Sequence, residues 1–476
     1  MGNKGVLTPD ICVIGAGSAG LSVAAGAVQM GASVVLVEKG KMGGDCLNTG
    51  CVPSKSLLAA AHRALLERQF PDLGVKLSSS VEFARVSEHV KKVIASIEPH
   101  DSVERFEGLG VNVVKASAQF ISPREIEAGE HKVRARRFVL ATGSQPFVPP
   151  IDGLKHVPFF TNETIFDLTE LPARLIVLGG GPIGCELAQA FRGLGSEVAV
   201  VEMNRLLPKD DPELRDVLRQ KLIENGVQIF EGVRTQAIVA QASGIEVTVS
   251  SNGQAQSIEG SHMLVATGRR PIVHGLGLDY AGIEYSEEGV RVDSGLKTTN
   301  RRVYAIGDCV GGLQFTHVAG YHAGVVVRNA LFRLPSKASY RTVPWVTYTD
   351  PEVAQVGLTE EKAREVYGDN VRVLVSKFEE NDRARAEGRN KGLVKVVTSM
   401  RGKIYGCGIV GPSAGELIQP WVLAMSNGLK IGSMATMIAP YPTLGEISKR
   451  AAGSFYTPTL YGPSTRALVK FLSRFG

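Results

Sequence analysis

The sequence predicts an α/β fold in which a strand, a glycine turn, a helix and a second strand form a unit that is used twice. Gly15-x-Gly17-x-x-Gly20 lies between an apolar strand and a helix, and Gly179-x-Gly181-x-x-Gly184 recurs in the same setting. Each unit ends its second strand on a carboxylate, Glu38 and Glu202, 23 positions after its first glycine. One such match is weak; two with matched context and spacing specify two Rossmann-like dinucleotide-binding units.

In the first unit, DICVIGAGSAG runs from a strand into a helix expected from Leu21 to Met30, and ASVVLVE follows as a strand. Gly15 makes the tight turn, Gly17 lets the backbone approach a pyrophosphate, and Gly20 lets helix and sheet pack closely. The helix N-terminus offers unpaired N–H groups and partial positive charge to the phosphates. The second unit repeats this as LIVLGGGPIG, a helix from about Cys185 to Gly193, and SEVAVVE. A carboxylate at Glu202 accepts from a ribose diol and repels a 2′-phosphate, so NAD(H) is expected over NADP(H), with Arg205 near enough to moderate the preference. VLATGS, containing Thr142, Gly143 and Ser144, and LVATGR, containing Gly268, mark where the chain leaves each nucleotide unit. In VYAIGDC, Asp308 follows a strand and a glycine.

Between the two units lies GGDCLNTGCVPSKSLLAAA. Pro53 begins an alanine-rich helix, as proline is favoured in a first helical turn. Cys51 therefore sits at or just before a helix N-terminus, whose field stabilises a thiolate. A structural disulfide across so short a loop stabilises little, and no second Cys or His pair has zinc spacing. Cys46 and Cys51 are read as a redox-active disulfide, and no metal site is expected. The other four cysteines, Cys12, Cys185, Cys309 and Cys407, are expected as small buried residues, the last three beside glycine turns or helix starts.

The chain has 476 residues, enough for about three domains or more. With 44% hydrophobic and 21% charged residues it has an ordinary globular composition. MGNKGVLTPD lacks the apolar stretch of a signal peptide, Val6 stands where a myristoylation signal needs Ser or Thr, and no apolar run spans a bilayer. A cytoplasmic location is expected. The net charge of +6 is spread thinly, and the basic segment Lys132, Arg134, Arg136, Arg137 has no interleaved aromatics. It reads as a solvated strand face, and nucleic acid is not an expected partner.

The segments GAGSAG, GGDCLNTGCVPSK, ATGS, GGGPIGCE, ATGRRP, YAIGDC and PWVTYTDPEVAQVG together resemble the pyridine nucleotide-disulfide oxidoreductases. The branch is that of dihydrolipoamide dehydrogenase, mercuric reductase and glutathione reductase. The resemblance implies FAD bound by the first unit and a nicotinamide cofactor by the second. It implies an FAD-binding domain at 1–148, an NAD(P)-binding domain at 149–270, a central domain completing the FAD site at 271–342 and an α+β dimerisation domain at 343–476. It also implies a homodimer whose active site borrows residues from the partner subunit. By motif position, Cys51 is the thiol next to the flavin and Cys46 the one that exchanges with substrate. Lys55 and Glu186 form an ion pair beside flavin and nicotinamide. Gly44, Lys55, Thr142, Gly143, Ser144 and Asp308 hold FAD, His317 to Ala319 line the isoalloxazine, and Ala118 contacts the adenosine through backbone.

One segment departs from the pattern. The family's His-Pro-Thr-x-x-Glu carries the acid–base for the exchanging thiol; here Ala439-Pro-Tyr-Pro-Thr-Leu-Gly-Glu446 keeps Glu446 and puts Tyr441 in the histidine's place. A tyrosine with a pKa near 10 shuttles protons poorly at neutral pH, so slow turnover with lipoamide-type substrates is expected. Mercuric reductase and the soluble transhydrogenases carry Tyr there, but no C-terminal cysteine pair follows Cys407, and the Cys46/Cys51 pair is intact. The expected activity is therefore FAD-dependent NAD(P)H oxidoreduction through the Cys46–Cys51 disulfide, with a thiol or disulfide, a metal thiolate or a quinone as acceptor. Transhydrogenase or diaphorase-like transfer to quinones and a flavin-bound redox sensor with little turnover are the alternatives. At the C-terminus, Thr465 to Phe475 alternates basic and apolar residues at helical spacing; a helix packed on the dimer is the first reading and a membrane-surface contact the second.

Overall fold

The computed structural model describes residues 5–69, 74, 80–242, 244–251 and 253–475. The first apolar strand, Ile11–Ile14, is fully buried and lies at the centre of a five-stranded parallel sheet. Val34–Glu38 and then Asn112–Lys115 flank it on one side, Arg137–Leu140 and then Val303–Ala305 on the other. Strands buried on both faces read as continuous apolar runs, as Ile11–Ile14 and Val34–Glu38 do. The strand order reverses at Ile11–Ile14, which opens a crevice at the carboxyl ends of the strands above the glycine turn. The second unit repeats the plan with four parallel strands in the order Val227–Glu231, Glu197–Glu202, Arg174–Leu178, His262–Val265. The α/β class with two dinucleotide-binding units is borne out.

The fingerprint helices begin earlier than expected, at Ser18 and at Pro182. In both turns the middle glycine is extended and caps the helix, so the helix starts at the next residue. Pro182 then occupies the first helical position, where its missing N–H is no loss. The two exit segments pair with each other, Ser144–Pro146 running antiparallel to Arg269–Pro271. The chain thus leaves one nucleotide unit and re-enters it through adjacent strands.

The C-terminal part is a five-stranded antiparallel sheet in the order Pro344–Thr347, Glu352–Gly357, Ile404–Gly411, Leu393–Thr398, Arg372–Lys377. Helices cover it and bury Trp421, whose indole N–H donates to Ser448. Cys407 lies inside the strand Ile404–Gly411 rather than at a turn; the flanking Gly406 and Gly408 admit close neighbours across the sheet. Arg134 and Arg136 pair with Glu125 and Asp10, and the basic segment divides between two different strands instead of forming one face. Among the described residues no helix is long and apolar enough to cross a membrane.

This sheet is tied to the second nucleotide unit by buried charge. Lys395 Nζ lies 3.2 Å from Asp211, 2.8 Å from Glu213 and 2.8 Å from Glu360. Both Lys395 and Asp211 are about 5% exposed or less. Removing one member of a buried ion cluster strands the others without compensation. Lys395→Met is expected to lower stability by about 3 kcal/mol, read as a fall in the urea midpoint; an unchanged midpoint would contradict this role.

Candidate active site

The redox loop is seated on the first phosphate turn. Gly43 N–H donates to the Ala16 carbonyl at 2.9 Å, and Gly17 and Gly43 form a parallel bridge. Gly44, at φ +60°, passes so close that a Cβ on it would meet the Gly17 Cα at 2.7 Å. The short helix Gly44–Asn48 carries Cys46, and the long helix Cys51–Gln69 begins at Cys51, two residues before Pro53. Cys51 is thus the first residue of its helix, where unpaired N–H groups favour a thiolate.

The two thiols are unequal. The Cys46 S–H donates to Cys51, which together with burial holds Cys46 far above the ordinary thiol range. The same hydrogen bond, then the Thr316 hydroxyl and the Lys55 charge, lower Cys51 to about 6 against the opposing effect of burial. Thr316 Oγ1 lies 3.4 Å from Cys51 Sγ and starts the helix Thr316–Leu331. Lys55 Nζ lies 2.7 Å from Glu186 Oε2 and 4.5 Å from the centre of the Tyr348 ring. Glu186, itself buried, accepts from the Tyr348 backbone N–H through its other oxygen. The other four cysteines are buried and their thiols pushed up, Cys309 to about 11.

Each strand-end carboxylate is held by its own turn. Glu38 accepts from the N–H groups of Ala16 and Gly40, both at 2.6 Å. Glu202 accepts from Gly180 at 2.7 Å and Asn204 at 2.8 Å. A carboxylate has about four lone-pair sites, so both keep capacity for a diol. Arg205 turns to Glu231, 4.0 Å away, rather than to Glu202.

The glycines test the fit of the dinucleotides. A Cβ on Gly15 or Gly179 would meet a carbonyl oxygen at 2.3 or 2.4 Å, and one on Gly20 or Gly184 would meet the first glycine's own carbonyl at 1.9 Å. The first and third glycines are therefore required by packing. A Cβ on Gly181 would meet nothing within 4 Å, and one on Gly17 only the Gly44 Cα at 3.8 Å. A bare backbone at these two helix starts is what close approach of a pyrophosphate uses. Both cradles fit.

Asp308 lies in the turn Gly307–Val310, and burial raises its carboxyl while the Ser144 hydroxyl, donating at 2.6 Å, counters this. Arg269 reaches Ser144 at 2.8 Å, Asn162 at 3.2 Å and Asp45 at 3.5 Å. Asp45 in turn accepts from Thr49 and Asn162. One network therefore joins the redox loop, the Asp308 turn and the strand leaving the second unit. Thr142 donates to the Ile272 carbonyl, Gly143 accepts from Ile272, and Gly268 accepts from Phe147, so these three shape the joint between units. His317 bonds the Pro344 carbonyl at 2.8 Å and stacks on Phe315. Ala319 packs beside Gly307, and Ala118 lies buried on its strand with Ile14 and Val37.

Tyr441 and Glu446 are placed elsewhere, lining a cavity of about 590 Å³ in the C-terminal part with Lys377, Lys449 and Arg450. Tyr441 is 70% exposed and donates to Asp382 at 3.2 Å, which raises its phenol further. Thr316, Tyr348, Asn162 and Asp45 were not singled out by sequence reasoning. Thr316 had a signal, since it directly precedes His317 at a helix start, and Asp45 and Tyr348 lie within the quoted motif segments; Asn162 had none.

The family model for pyridine nucleotide-disulphide oxidoreductases matches residues 9–323, and that for their dimerisation domain matches 343–452. The chain belongs to the pyridine nucleotide-disulphide oxidoreductases. Within this family it is 35% identical to a mercuric reductase of Bacillus cereus over 459 residues, covering 96% of this chain and 73% of that one. It is 33% identical to a dihydrolipoyl dehydrogenase of Bacillus subtilis over 451 residues, covering 92% and 96%. The HOCl-induced flavoprotein disulfide reductase RclA from Escherichia coli, solved as a Cu(II) complex, superposes with a TM-score of 0.83 at 26% identity, covering 94% and 99%. The chain is an FAD-dependent enzyme of this family acting with a pyridine nucleotide, and it carries the family's dimerisation domain.

In the reduced protein one thiolate is expected to titrate near pH 6, present above that value and protonated below it, because the Cys51 pKa is lowered. Thr316→Val removes a donor and moves this titration upward. Thiolate ultraviolet absorbance against pH, with Cys51→Ser as the blank, reads it; an unmoved titration in Thr316→Val contradicts the assignment.

Proposed function

We propose that the enzyme is an NADH-dependent reductase that delivers electron pairs through Cys46 and Cys51 to an acceptor that bonds a thiolate directly, with thiophilic metal ions as the class that fits best. The observation carrying this reading is the Cys46/Cys51 pair at a helix start, with Thr316 3.4 Å from Cys51 and no histidine among their described contacts, an arrangement that lowers Cys51 and raises Cys46. His317 is held by the Pro344 carbonyl and its pKa is lowered by burial; His322 accepts from the Gly307 N–H. Tyr441, the residue in the histidine's place, is raised above its ordinary range.

Bound FAD would supply hydride acceptance from the nicotinamide and electron-pair transfer to the cysteine pair. The residues that would hold it are Gly15, Gly17, Glu38, Gly44, Ser144 and Asp308, with Gly179, Gly181 and Glu202 serving the nicotinamide dinucleotide. Lys55, fixed by Glu186, places a positive charge beside the Cys51 thiolate. One hydride equivalent opens the S–S bond into one thiol and one thiolate, the proton going to Cys46 and the charge to Cys51. One Hg(II) or two Cu(II) ions then take the electron pair, the disulfide re-forms, and the Cys46 proton is released. A disulfide acceptor instead consumes a proton to leave as two thiols, which calls for an acid that Tyr441 supplies poorly. The Cu(II) complex of RclA and the mercuric reductase relatives support the metal reading.

In this reading the chain works as a homodimer, divided at 148, 270 and 342, with Tyr441 and Glu446 brought to the partner's cysteine pair. The exposure of Tyr441 on the C-terminal part and the dimerisation match support it.

NADH oxidation driven by Hg(II) or Cu(II) is expected to exceed that driven by lipoamide by on the order of a hundredfold in kcat. Tyr441→His is expected to raise the lipoamide rate by a similar factor and leave the metal rate unchanged. Lipoamide turnover faster than either metal would overturn the proposal. Because Glu202 ends the strand where a ribose diol would be read and Arg205 turns to Glu231, kcat/KM for NADH is expected to exceed that for NADPH at least about tenfold; parity would refute the assignment.

A further inference from the structure

The helix Pro463–Leu472 and the turn after it make almost no use of the rest of the chain. None of its residues is buried, and Leu468, Val469, Phe471, Leu472 and Phe475 are each more than half exposed. At 3.6 residues per turn these five fall on one face, while Arg466, Lys470 and Arg474 fall on the opposite one. No acidic residue follows Glu446, whereas Lys449, Arg450, Arg466, Lys470 and Arg474 all do. The segment also lies beyond residue 452, where the match to the dimerisation domain ends.

We propose that this helix is a membrane-surface anchor that lays its apolar face into the interface of a bilayer rich in anionic lipid. Charge complementarity selects this occupant. Arg450 pairs with Glu380, but Arg466, Lys470 and Arg474 make no ion pair among the described residues and suit a negatively charged headgroup layer, whereas two copies of the same basic helix side by side would repel. Ten helical residues span about 15 Å, half of a hydrocarbon core of about 30 Å, so the helix lies on the membrane and does not cross it. A broad apolar face with Phe and Leu opposite a Lys/Arg face is the composition of interfacial helices. Exposed Leu460 and Tyr461 just before the helix extend the apolar surface.

The three basic residues of the helix are worth about fivefold each near an anionic surface. The FAD-loaded full-length enzyme is therefore expected to float with phosphatidylglycerol/phosphatidylcholine vesicles about a hundredfold more tightly than with phosphatidylcholine alone at low salt, and to be released by high salt. Leu468→Glu with Phe471→Glu, and separately a chain ending at Gly462, should abolish flotation while NADH-dependent dye reduction and the mass by light scattering stay unchanged. No binding of the intact enzyme to anionic vesicles overturns the proposal. So does a loss of dimer mass in either variant without vesicles, which would make the helix a contact between copies. Acceptor chemistry does not enter this test, so its outcome is independent of the metal-reduction reading.

Discussion

The contact between Gly17 and the Gly43–Gly44 pair organises the molecule. Three residues without side chains let the phosphate turn and the redox loop touch backbone to backbone. The first glycine turn and the start of the Cys51 helix are thereby fixed relative to each other through main chain alone. A side chain at Gly44 would meet the Gly17 Cα at 2.7 Å, force the loop away and carry Cys46 and Cys51 with it. The electron relay thus depends on a packing constraint rather than on any single strong bond.

From that seat the electrostatics follow. A helix start, a hydroxyl and an ammonium converge on Cys51, while Cys46 supplies the proton that stabilises it. The pair is consequently polarised before any acceptor arrives. Glu186 holds Lys55 in place and is itself held by the backbone of the strand region near Tyr348, which belongs to the C-terminal part. The thiolate's environment is therefore assembled from four separated stretches of chain. Arg269 adds a fifth by tying Asp45 of the redox loop to Ser144 and Asp308.

Much of this was legible in the sequence because it is local. Glycine spacing, strand periodicity and the carboxylate at a strand end each lie within about thirty residues, so both nucleotide units and the cysteine helix could be read directly. The helix starts were read late, at Leu21 and Cys185, because the apolar pattern begins after the capped turn that actually starts the helix. The Arg269 network and the Tyr348 face over Lys55 were not legible, since contacts across more than a hundred residues leave no local pattern. The basic segment at 132–137 misled for the opposite reason: its alternation suggested one strand, yet it spans two with a bend between them.

In the proposed relay, electrons pass from the cofactor into the cysteine pair at a Cys51 thiolate set beside it. Anaerobic titration of the FAD-loaded enzyme with NADH tests it most directly. A long-wavelength thiolate-to-flavin absorption band should reach its full height at two electrons per chain and be missing in Cys51→Ser. Direct bleaching of the flavin with no such band in the intact enzyme would contradict the claim.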